Sequence, residues 1–91
     1  MPQPQPIRPF RLVIAPFVRQ AELFIHDSGY HPRECRIVTR REHLHGYDLR
    51  TWETWFLQRM WPCRTHEEVQ HMEEMQAYAR MRGADLRRWW T

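Results

Sequence analysis

The sequence predicts a small α/β domain, with a three-stranded sheet read as parallel and two main helices. Three observations predict it. Two short β-rich runs, Phe10 to Ala15 and Cys35 to Thr39, stand on either side of a stretch with helical periodicity. An aromatic run, Trp52 to Gln58, has the bulk of a third strand. A second helical stretch opens at Thr65 and ends near Gly83.

Taken in order, Pro2-Gln3-Pro4-Gln5-Pro6 removes backbone donors and favours an extended polyproline form, so residues 1–8 read as a disordered arm before a single domain over 9–83. Phe10 to Ala15 (FRLVIA) is an apolar run with β-branched residues, the mark of a strand buried on both faces, and Pro16 fits the first turn of a following helix. From Phe17 on, Val18, Ala21, Phe24, Ile25 and Ser28 recur at steps of three and four, a stripe on a helix that Gly29 closes in a left-handed cap. That helix has the length a parallel right-handed crossover needs. The first 40 residues thus read as one βαβ unit, half of a Rossmann-like sheet.

Thr39 with Glu42 has the form of a capping box, which predicts one helical turn over Arg40 to His45 stopped by Gly46. Trp52 to Gln58 (WETWFLQ) competes with a helical reading, and its Glu53, Gln58 and two Trp suit an edge strand better than a central one. Pro62 breaks the chain. Thr65 and Glu68 then form a second capping box ahead of Val69, Met72, Gln76 and Ala79, with Met75 widening the stripe. Early Glu67, Glu68, Glu73 and Glu74 and late Arg80 and Arg82 complement the helix dipole. Residues 84–91 (ADLRRWWT) carry no cap and no period, and read as an Arg/Trp-rich C-terminal tail.

Composition narrows the function classes. A chain of 91 residues holds one domain and buries about 60% of its unfolded surface. Five Trp and five Met fill a core and leave aromatics for an interface. All 14 basic residues are Arg, which points to a GC-rich genome, and 11 acids leave a net charge of +3, a smaller excess than a dedicated nucleic-acid binder carries. Cys35 and Cys63 could form one bridge, but the opening residues lack the basic-then-apolar pattern of a signal peptide, which predicts free thiols and a cytoplasmic location. The longest apolar stretch, Leu12 to Ala15, is far short of the roughly 20 residues that span a bilayer.

A helix carrying Ala21 and closed by Gly29, a strand ending Ile37-Val38-Thr39, the turn Leu44-x-Gly46, then an aromatic strand and a capped helix follow one another here. Over residues 11 to 81 this order resembles the small orphan proteins of actinobacterial phages, whose turn is Leu-Arg-Gly-like where this chain has His45. The resemblance implies no catalytic residue and no known activity. It implies action by binding a host protein.

Nucleotide binding would need glycines in the first βα turn, and Ala15-Pro16-Phe17 has none. Cys35, Cys63, His43, His45, His66 and His71 would suffice for a zinc site, but paired C-x-x-C spacings are absent, so no metal and no cofactor is expected. Cys35 with a His and Glu67 could be drawn as a nucleophilic triad, yet a Cys within a buried strand acts as a small hydrophobe, so no enzyme activity is expected. The carboxyl edge of the sheet would present Arg40, Arg41, Arg59, Trp61 and Arg64, and the tail Arg87, Arg88, Trp89 and Trp90. With Trp52 and Trp55 as further anchors, these residues predict a non-enzymatic binding protein acting on a host protein. The alternatives are nucleic-acid binding by the same Arg and Trp, and self-association through an edge strand or the Met face of the long helix.

Overall fold

The computed structural model describes residues 9–58 and 65–90. Arg11–Ile14 (β1), Cys35–Val38 (β2), Glu53–Gln58 (β3) and Leu86–Trp90 (β4) pair in parallel in the order β2-β1-β3-β4. Two helices, Val18–Asp27 (α1) and His66–Met81 (α2), and two 3₁₀ turns, Pro32–Glu34 and Arg41–Gly46, connect them. The α/β class and the parallel sheet agree with the sequence. The strand number does not, since the sheet has four strands rather than three.

The fourth strand comes from the segment that read as a tail. It runs along β3 from Thr54↔Leu86 to Gln58↔Trp90, so β3 has neighbours on both sides and is an interior strand, neither an edge nor a helix. Two adjacent arginines hide the alternation by which a strand is recognised. An edge strand tolerates them because it needs no continuous apolar face.

All four residues of β1 are buried, as expected of a strand covered on both faces. Side chains alternate across a strand, so Leu12 and Ile14 pack with Val38, Leu44, Leu49, Phe56, Met72, Met75 and Ala79 on one face. Val13 and Ala15 pack with Ala21, Phe24, Ile25, Cys35 and Leu57 on the other. One layer therefore holds α1, and the opposite layer holds α2 and the Arg41–Gly46 turn. The chain leaves β1 for β2 by way of α1, then crosses back to β3 over the other face. Winding both ways from β1 makes more than the predicted half-unit.

Both helices end on a glycine with positive φ, 75° at Gly29 and 89° at Gly83. In α1, Gly29 N–H donates to His26 O and Tyr30 N–H to Ile25 O, and in α2 Gly83 and Ala84 donate in the same way to Arg80 O and Ala79 O. α2 starts as predicted, with Thr65 Oγ1 accepting from Glu68 N–H at 3.2 Å. α1 does not, because Phe17 precedes it without a side-chain cap and Pro16 lies ahead of its first turn. Nor does Thr39 cap the next turn, which begins one residue later, after Arg40, and winds as 3₁₀.

Candidate partner-binding edge and carboxyl-end cleft

Four parallel strands deliver their carboxyl ends to one edge of the sheet, where open α/β sheets bind ligands. Arg40 and Arg41 stand there after β2, exposed and without an ion pair among the described residues. The expected Arg59, Trp61 and Arg64 lie outside the described residues. The chain leaves β1 toward α1 and leaves β2 toward the opposite face. Between the two exits opens a cleft of about 630 Å³ lined by Pro16, Thr39, Arg40, Glu42, His43 and His71.

α2 supplies His71, whose Nε2 lies 3.0 Å from Thr39 O. A carbonyl oxygen only accepts, so this nitrogen carries a proton and the bond ties the exit of β2 to α2. Glu42 shares the cleft. Its carboxyl is held below its ordinary range, first by a backbone N–H, its own, against the opposing effect of burial and with the charges of Arg41, Arg40 and His71 adding to the lowering. Those three basic groups thus lie within electrostatic reach of one carboxylate. The sequence places Arg40 and Arg41 at this edge but offers His43 and His71 only as zinc-ligand candidates, because no spacing links them to it.

The other expected site residues form β4. Arg87 donates to Glu53 Oε1 and holds its guanidinium 6.0 Å from the Trp55 ring. Arg88 turns to the opposite face, where the Gln76 amide, oriented with its oxygen toward the two guanidinium groups, accepts from Arg88 Nη2 at 2.8 Å and Arg80 Nη2 at 3.2 Å. Trp89 and Trp90 occupy strand positions beside Leu57 and Gln58 rather than trailing from the fold. β4 ends the sheet, and no strand among the described residues lies beyond it. Trp52 and Trp55 are half-buried and pack inward, Trp52 on Tyr47 with ring centroids 4.9 Å apart and Trp55 on Phe24 at 5.3 Å. Both are packed against the buried core clusters and keep part of their surface exposed.

Beyond the expected sites lies a second missed cluster, at the amino end. Arg11, with a side chain 8% exposed, donates to Glu53 Oε2 at 3.0 Å and Glu34 Oε2 at 3.4 Å and lies 3.5 Å over the Tyr30 ring. Burial pulls its pKa down, but the hydrogen bond to Cys35 and the charges of Glu53, Cys35 and Tyr30 outweigh that and raise it. The guanidinium stays charged. Its signal in the sequence was the single Arg inside an apolar run. Cys35 is a free, buried thiol held by this Arg and by the His31 carbonyl.

Among the described residues no group of three or more His, Cys, Asp or Glu could hold a metal ion, and Cys63 lies outside them. Among the same residues no helix is long and apolar enough to cross a membrane. No protein-family model, curated protein or solved structure matches the chain, so the functional reading rests on geometry.

Proposed function

We propose that the chain is a small binding protein without chemistry of its own, whose partner is an extended, acidic segment of another protein that pairs with β4. The observation that carries this reading is an edge strand with its outer backbone row unpaired among the described residues and with exposed arginines on both faces. Addition of a strand takes affinity from main-chain hydrogen bonds and specificity from the side chains flanking them. Acidic residues opposite Arg87 and Arg88 supply that specificity. A second copy of the chain would set these arginines against each other, which disfavours self-pairing. The phage resemblance makes a bacterial host protein the partner to seek.

The test is capture of partners from a nuclease-treated actinobacterial lysate with the wild-type chain and with R88E, followed by hydrogen exchange of the complex. The expected result is a protein retained by wild type, lost with R88E, and slowing exchange at Leu86–Trp90. Retention of nucleic acid alone, or of a protein held equally by R88E without protection of β4, overturns the reading.

A further inference from the structure

The cleft at the carboxyl ends of β1 and β2 stands apart from β4, two to three strand spacings or roughly 10–14 Å away across the sheet. We infer that it is a binding site for a small phosphomonoester. Among the charged groups that line the cleft Arg40 balances Glu42, and Arg41, beside the cleft and within electrostatic reach of the same carboxylate, adds a net positive charge. Neither arginine has an ion-pair partner among the described residues. The cleft volume, about 630 Å³, falls in the range of small-molecule sites.

The donor set selects the anion. Pro16 lacks an N–H and no glycine lines the cleft, so the described residues form no backbone cradle to wrap a diphosphate. Recognition falls to side chains among the described residues: the Arg40 guanidinium, the Thr39 hydroxyl and the His43 imidazole, with His71 able to donate only from Nδ1 in its imidazolium form because its Nε2–H is committed to Thr39 O. A terminal phosphate offers three oxygens to such converging donors, and a carboxylate offers only two. His71 is already oriented by its bond to Thr39 O, which holds helix and strand exit together around the site. The organic part of the ligand extends through the open mouth.

The experiment is an NMR titration of the His43 and His71 ring protons and the Arg40 side chain with phenyl phosphate and inorganic phosphate, at constant ionic strength, with acetate and chloride as comparators. Expected are saturable shifts with both phosphates, weaker ones with acetate and none with chloride. Loss of one charge-assisted partner in R40Q weakens phenyl phosphate binding about tenfold, T39V weakens it by a smaller factor, and R33Q, ahead of the amino end of β2, leaves it unchanged. Shifts that never saturate, acetate binding as tight as phosphate, or full affinity in R40Q overturns the assignment. R40Q alters an exposed residue, so its fold is retained and loss of binding reads on the site.

Discussion

Arg11 ties three neighbouring strands together with one side chain. It lies level with Cys35 on one neighbour and Glu53 on the other, and Glu53 passes the contact on to Arg87 of β4. Breaking a buried charge pair strands its partner, so R11M is expected to lower unfolding free energy by about 3 kcal/mol in urea titration, and R11M/E53M to recover part of the loss. Gln20 presents the reverse case. It is 2% exposed and neither amide atom finds a hydrogen-bond partner among the described residues. Q20M keeps the length without the polar atoms, and a gain of about 1–2 kcal/mol is expected by the same measurement. At the surface, Asp48 is held below its ordinary 3.8, first by the side-chain and then by the backbone hydrogen bond from Arg50. Its contribution to stability is complete above 3.8 and disappears as pH falls through the lower folded value. Thermal melts between pH 6 and 2 should therefore show a shallower acid limb for D48N.

The helices derive their limits from a few residues each. Thr65 accepts from the third N–H of α2, and T65A is expected to cost about 1 kcal/mol, read from the urea midpoint. The glycine caps differ in surroundings. A Cβ at Gly29 meets nothing within 4 Å, so G29A should cost only the left-handed strain of about 1 kcal/mol, whereas at Gly83 it would lie 2.8 Å from Arg50 Cγ as well. G83A is thus expected to be the worse of the pair, by the amount needed to displace a flexible side chain. Both ends were legible in the sequence because cap, glycine and the carbonyls they satisfy are neighbours along the chain.

Removing residues 84–91 asks whether the final segment is tail or sheet. Leu86 packs against the core cluster and β4 adds a ladder of backbone hydrogen bonds to β3. Deletion is expected to cost roughly 3–6 kcal/mol and to expose β3 as a new edge, lowering the melting temperature and promoting association on size exclusion. An unchanged melt would mean that the strand does not support the fold. The same strand is the proposed partner surface, and the cleft lies at the opposite side of the sheet, so the two binding tests report on separate places.

β1, β2, both helix C-caps and the Thr65 cap could be read from residue order, because each depends on side chains and backbone groups a few positions apart. The βαβ start and the α/β class follow from them. Arg40 and Arg41 could likewise be placed after a strand, hence at the carboxyl edge. Tertiary pairing was needed for the rest. Leu86–Trp90 becomes a strand because β3, some thirty residues earlier, offers it a hydrogen-bonding edge, and nothing in its own pattern announces that. The cleft needs Pro16, Thr39–His43 and His71 brought together from three segments, and the Arg11 cluster needs four strands in register. Local preferences act through bonds along the chain, whereas these sites exist only once distant segments lie side by side.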